Sequence, residues 1–361
     1  MGTLRVILAL SVIVAHVGPF LGLGFFGGGV MAVESFYVIS GFYMALVLST
    51  RYRTHLLEFY FNRFLRLYPA YWIFLTIFLV LSSAYWLFVG HPLGTLSAWA
   101  DGRNPWFQTW AALSNLGIIG CDWAELYSYV TNTGGLGPNS LIAIQAVWSV
   151  SVEIVFYLLA PFVLRLPKSA QVGIFFATVL LRAAIWYGGG GKWTYWMYYF
   201  APAAWPFFMG GVLSYHLMTW LERRGWFALQ TQVIGSISLA AIGMIILFYQ
   251  EFHALRFQDW RYYGLVGLGM PWIFTAFKDS RFDNALAAWS YPLYLGHAVI
   301  LSLYSPLRHF VPDGQRVYVV VALTVLLSKV VLVLDKRVQL RFKREVSVSG
   351  GNSAGQTAVS P

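Results

Sequence analysis

The sequence predicts an all-α membrane protein, a polytopic bundle of about ten transmembrane helices with both termini in the cytoplasm. Three observations point there. Of 361 residues, 58% are hydrophobic and only 11% charged, with a mean hydropathy of +0.64; a soluble domain carries about 25% charged residues. Apolar runs recur along the chain at about the 20-residue length that spans hydrocarbon. When these runs are threaded alternately through a bilayer, Lys and Arg collect on one side, which is the positive-inside pattern.

The elements follow in chain order. The first run, 4–24, is apolar except for Arg5 and His16. It exceeds the apolar region of a signal peptide and is followed by further runs, so it reads as a retained anchor. The second run, 28–49, carries Glu34, and a basic stretch with Arg51, Arg53, Arg63 and Arg66 separates most of it from the third, 67–90. Residues 91–141, rich in Gly, Pro, Asn and Trp, form the one long loop, read as either a surface loop or a re-entrant segment capping the outer face. Further runs lie at 142–164 with Glu153, 170–188 with Arg182, 200–220, 229–250, 262–277, 284–305 with His297, and 317–334. Trp86, Trp186, Tyr187, Trp260 and Tyr263 gather at the proposed outer ends, as an aromatic belt would. A Gly/Ser-rich end reads as disordered. The expected organisation is a transmembrane domain at 1–345 and a tail at 346–361.

Charge and cysteine usage narrow the function. The formal net charge is +10, but its distribution answers to topology, so no nucleic-acid partner is expected. Sixteen of the 24 Lys and Arg residues fall on the inner side in this threading and six on the outer. The single cysteine, Cys121, excludes an internal disulfide and any Cys-based metal site. No Walker, GxGxxG or HExxH pattern occurs. No metal is expected.

Polar residues inside apolar runs need a reason, because hydrocarbon penalises them. His16, Glu34, Glu153, Arg182 and His297 fall near the midplane or in the outer half, while Arg5, Arg63 and Arg66 fall at the inner face. These are two stations. In the deep one, a His with a carboxylate neighbour can act as general base towards a hydroxyl; Glu34 with Arg182 also reads as a buried ion pair that holds helices together. At the inner one, Arg63 and Arg66 stand three apart and share a helix face. Paired guanidinium groups suit phosphate oxygens.

These residues resemble the acyltransferase 3 family of integral membrane acyltransferases, mostly bacterial. Arg5 with His16 is similar to its R-x10-H signature. VESFYVISGF (33–42), FNRFLRLYPAYW (61–72), WSVSVEIVFYLLAP (148–161), PFFMGGVL (206–213) and SYPLYLGHAVIL (290–301) resemble its further blocks, in order. Ile154 stands where many members have a second acid after Glu153, and a stand-alone form without the C-terminal hydrolase-like domain of some members is expected. The resemblance implies transfer of an acyl group, commonly acetyl, from cytoplasmic acyl-CoA to a hydroxyl of a carbohydrate or glycolipid. It implies His16 as general base with Glu153 or Glu34 orienting it, and Arg5, Arg63 and Arg66 as holders of the donor. His297, Arg182, Trp148 and Ser149 are the candidate acceptor contacts. The expected setting is a bacterial inner membrane, with the bilayer and polysaccharide-assembly proteins as candidate partners. A transporter or flippase for a glycolipid or anionic solute is the alternative, and an assembly subunit without chemistry is a third.

Overall fold

The computed structural model describes the chain except for residues 19–27, 91–104, 132–140, 189–192, 228–229, 250–251, 253–259, 305–310 and 355–361. The side chains of Phe107, Thr131 and Asp313 and those of 343–354 also fall outside the description. Among the described residues the fold is helical throughout, with no strand. Thirteen α-helices follow one another: α1 (Gly2–Val17), α2 (Gly29–Thr50), α3 (Leu56–Val89), α4 (Pro105–Gly117), α5 (Cys121–Thr131), α6 (Val147–Val163), α7 (Lys168–Gly188), α8 (Trp193–Tyr199), α9 (Ala201–Arg223), α10 (Thr231–Leu247), α11 (Trp260–Phe277), α12 (Arg281–Tyr304) and α13 (Arg316–Ala354).

Each of the ten apolar runs falls on one of these helices. Five of them, α2, α3, α7, α12 and α13 as far as Phe342, are long and apolar enough to cross a membrane, and α1, α6 and α10 are shorter apolar helices. A helix is the expected form, since only internal hydrogen bonds can satisfy the backbone in lipid. The side chains facing outward fit that medium: Leu87 is 87% exposed, Phe88 90% and Leu180 68%. The first run ends sooner than expected, at Val17, and the rest of it up to Gly24 lies largely outside the described residues. The third begins sooner, at Leu56, so Arg63 and Arg66 ride on α3 itself, with Pro69 accommodated inside it. The final helix reaches Ala354, into the stretch read as a tail, whose residues 355–361 lie outside the description.

The loop expected at 91–141 is corrected in part by α4 and α5. They are tied to α3 and α6 by a set of hydrogen bonds at their junction. The Tyr68 hydroxyl and the Trp72 indole N–H donate to the carbonyls of Gly117 and Leu116 at 2.8 and 3.0 Å, and the Tyr71 hydroxyl donates to that of Asn115. These are the carbonyls that the end of α4 leaves without a helical partner. The Asn115 amide donates to the Ala111 and Leu141 carbonyls and accepts from the Ala143 N–H, each at 2.7 Å. Ile118 and Gly120 turn the chain through positive φ values of 65° and 91°. On α5, the Asp122 carboxylate accepts from Ser151 of α6 at 2.7 Å.

Packing in the centre is set by backbone approach. Lipid offers little hydrophobic reason for helices to associate, so small residues that admit close contact take over. A Cβ on Gly41 of α2 would stand 1.9 Å from the Phe208 carbonyl oxygen of α9, and one on Gly211 of α9 would stand 2.0 Å from the Val38 carbonyl oxygen of α2. The two helices thus cross on reciprocal glycines. Adjacent Gly210 has only a Phe175 ring atom, at 3.9 Å. Gly41→Ala and Gly211→Ala are therefore expected each to cost about 3 kcal/mol by overpacking, read as a lowered melting temperature in nanodiscs, while Gly210→Ala leaves it unchanged.

Candidate active site

The site begins with a register. The Asp283 carboxylate, in the first turn of α12, accepts hydrogen bonds from the backbone N–H groups of Gly2 and Thr3 at 2.7 and 2.9 Å and from the Thr3 hydroxyl at 2.9 Å. It satisfies N–H groups that the start of α1 would otherwise leave bare, and it faces the positive end of that helix. Fourteen residues on from Gly2 is His16, and fourteen on from Asp283 is His297. Two parallel helices aligned at one end rise together, about 21 Å over fourteen residues. The imidazoles accordingly meet: their centroids are 5.5 Å apart, with the rings stacked at 27°. His16 is exposed to the cavity beside it and His297 is 1% exposed. The Nδ1 of His297 has no hydrogen-bond partner.

Two cavities lie along α1, α2, α6 and α12. One, of about 60 Å³, is lined by Arg5, Ser40, Arg66, Ser149, Glu153, Tyr157 and Ser290, among others. The other, of about 340 Å³, is lined by His16, Val30, Gln145, Trp148, Tyr198, Tyr249 and His297, among others. On α2, α6 and α12 the residues of the first cavity and those of the second occupy successive turns, and on α1 Arg5 lines the first and Val12, Ala15 and His16, further along, the second, so the cavities stack along the bundle. Both are lined by Val33 and Tyr294, which stand between them. The first is the basic cavity and the second the histidine cavity.

The basic cavity holds unspent charge. Arg5 is 8% exposed, its guanidinium carbon lies 4.8 Å from the Tyr43 ring centroid, and its Nε has no hydrogen-bond partner. The Nε of Arg63 is also unpartnered, and Arg66 is close enough to both to repel them. Among the described residues no carboxylate forms an ion pair with any of the three. Glu153 takes hydrogen bonds from the hydroxyls of Ser40 and Tyr157. A separate cleft of about 540 Å³ opens between the α2–α3 connection and the end of α6, lined by Tyr52, Arg53, Thr54 and Arg165.

Glu34 and Arg182 form a buried ion pair and line neither cavity. Glu34 also accepts from the Tyr263 hydroxyl. Arg182 donates to the carbonyls of Met197 and Ala203 at 3.1 and 2.9 Å, and its guanidinium lies 4.7 Å from the Phe207 ring centroid. Arg182 and Gln171 are the buried residues of α7, an otherwise outward-facing helix. Gln171 donates to the Leu166 carbonyl at 2.8 Å and bonds His216 at 2.8 Å.

The structure therefore sorts the sequence-based candidates. Arg5, Arg66 and Glu153 share the basic cavity, with Arg63 beside them. His16, His297 and Trp148 share the histidine cavity, and Ser149 lies at the boundary. Neither carboxylate expected to orient His16 bonds it: Glu34 is held by Arg182 and Tyr263, Glu153 by Ser40 and Tyr157. The neighbour of His16 is His297. Sequence reasoning missed Tyr294, whose hydroxyl lies 2.6 Å from Ser149 Oγ; its place one helical turn before His297 was the available signal. It also missed Asp283, Ser40 and Tyr157.

Fold and site together define a multi-pass helical membrane protein with a polar site enclosed in its bundle. The family model described as an acyltransferase domain, that of acyltransferase 3, matches residues 2–333. The chain belongs to the acyltransferase 3 family, and is an acyltransferase. No match is found among curated proteins or among solved structures.

Two outcomes follow from this geometry. Arg182→Met leaves Glu34 buried without its cation and is expected to cost about 3–5 kcal/mol; the double variant Glu34→Gln/Arg182→Met should recover part of that loss in thermal unfolding in nanodiscs. Asp283→Ala should cost about 1 kcal/mol or more as a lost cap and shift the register of α1, with a spin-label distance between α1 and α12 near His16 and His297 broadening. Asp283→Asn should retain most of both.

Proposed function

We propose that the protein moves an acyl group, acetyl being the expected one, from cytoplasmic acyl-CoA to a hydroxyl of a carbohydrate or glycolipid. The single observation that carries this reading is the stacking of a basic cavity and a histidine cavity on the same four helices. Coenzyme A is anionic at one end and carries its thioester on a long extended arm. The residues fit such a donor: Arg5 and Arg63 keep unpartnered nitrogens, and Arg66 lines the same path. Arg63 and Arg66 would take the phosphates, helped by Arg53 and Arg165 in the cleft at the α2–α3 connection, whose volume suits a nucleotide. The narrow basic cavity leaves room for the end of the arm alone.

In this reading the acceptor enters the histidine cavity from the opposite side. Its walls include Trp148, Tyr198 and Tyr249, and aromatic faces suit the apolar faces of a sugar ring. His16 takes the proton of the acceptor hydroxyl as its oxygen attacks the thioester carbonyl. The new C–O bond forms, the C–S bond breaks, and the departing thiolate takes the proton back from His16 to leave as free coenzyme A. Low dielectric strengthens this exchange by excluding competing water. Glu153, held by Ser40 and Tyr157, balances the arginine charge in the donor cavity rather than acting on His16. Glu34 and Arg182 brace the scaffold. A bacterial inner membrane is the setting that suits a cytoplasmic donor and an extracytoplasmic glycan, and polysaccharide-assembly proteins are the partners such an acceptor would imply.

The test uses purified protein in nanodiscs with acetyl-CoA and a crude extracytoplasmic glycan fraction. His16→Ala should lower coenzyme A release by about 100-fold or more, the scale of a general base, with donor binding retained. Arg63→Ala/Arg66→Ala should instead raise the KM for acetyl-CoA. Donor that neither binds nor turns over with any acceptor would sink the reading and favour a transporter for a glycolipid or anionic solute.

A further inference from the structure

We propose that Tyr294, held by Ser149, is the gate between the two cavities, an inference that rests on the donor-and-acceptor reading above. On α12, Ser290 and Tyr291 line the basic cavity while His297 and Ala298 line the histidine cavity, and Tyr294 lines both. On α6, Val150 and Glu153 belong to the first cavity and Trp148, with Ala146 just before the helix, to the second. The hydrogen bond at 2.6 Å between Tyr294 and Ser149 thus bridges α12 and α6 at the level where one cavity gives way to the other.

The direction of this bond can be assigned. Ser149 Oγ donates to the Ala146 carbonyl at 2.9 Å, which uses its one proton. The Tyr294 hydroxyl is then the donor and Ser149 Oγ its acceptor. Among the described residues its ring also meets Phe36 and His297 edge-on, with centroids 5.8 Å away in each case. Release of one hydrogen bond and a rotation of the side chain would join the cavities. With the bond made, the thioester waits in the basic cavity, shielded from water entering beside His16. With it broken, the thioester carbonyl reaches the level of His16 and His297.

Labelling tests the gate without any turnover. In a Cys121→Ala background, Val150→Cys places a thiol in the basic cavity and Ala15→Cys places one in the histidine cavity. A membrane-impermeant, negatively charged methanethiosulfonate reagent is added to sealed vesicles of defined orientation, on the side to which His16 opens. Val150→Cys should react slowly with Tyr294 present and at least about ten times faster with Tyr294→Ala. Tyr294→Phe, which keeps the ring and should fold in either case, should react about five times faster through loss of one hydrogen bond. Ala15→Cys should react alike in every background. Unchanged rates at Val150→Cys would overturn the gate, as would an equal rise at Ala15→Cys, which would mean general loosening. Either result leaves the acyl-transfer reading intact, since that reading stands or falls on loss of coenzyme A release in His16→Ala.

Discussion

The arrangement of the site depends on one carboxylate at the start of a helix. Asp283 fixes where α1 begins relative to α12, and all that follows on those two helices inherits that alignment. His16 and His297 are separated by most of the sequence, yet they face each other because each lies the same number of residues from the Asp283 contact. Arg5, one turn up α1, is delivered by the same register to the basic cavity. A slip of one residue would rotate α1 by about 100° and carry both Arg5 and His16 away from their cavities. The R-x10-H spacing is in this sense a length measured along α1 between two chambers.

The second constraint is the scarcity of hydrophobic force between helices that sit in lipid. The buried side chains of α7 are the polar Gln171 and Arg182, with Ile174 and Phe175 partly buried against the core. Arg182 alone ties α7 to Glu34 of α2, to the carbonyls before and within the first turn of α9, and through Glu34 to Tyr263 of α11. α2 is locked from its other side by the glycine crossing with α9. It is thereby held rigid while it presents Val33, Phe36 and Ser40 to the cavities. In the proposed reading, charge spent on Glu34 and Arg182 is structural, and charge left unspent on Arg5 and Arg63 serves a ligand. That contrast separates the two kinds of buried arginine in this protein.

Hydropathy made the helices legible, since lipid demands long apolar runs and punishes anything else. It also made the polar residues legible, because Arg5, His16, Glu34, Glu153, Arg182 and His297 stand out against an apolar background. The ion pair of Glu34 and Arg182 was readable as an option, while the partners of Glu153 and His16 were not. Spacing within one helix says nothing of which helix lies opposite, and Ser40, Tyr157 and Tyr294 are too ordinary as residue types to announce themselves. The pair α4 and α5 escaped for a different reason. Both are short, and the residues they bury include Ser114, Asn115, Asp122 and Glu125, so their pattern reads as a loop. What buries them is a set of donors on α3 and α6, a tertiary fact that local composition does not carry.

The central claim is that donor and acceptor meet end to end along one bundle axis, with Tyr294 between them. The most direct measurement is a cryo-electron microscopy structure of the full chain in nanodiscs with a non-hydrolysable thioether analogue of acetyl-CoA. The expected result is density for the nucleotide at Arg63, Arg66 and the cleft by Arg53 and Arg165, with the pantetheine arm in the basic cavity and the acyl end against Tyr294. Density for the analogue in the histidine cavity with the basic cavity unchanged, or on the lipid-facing surface, would contradict it.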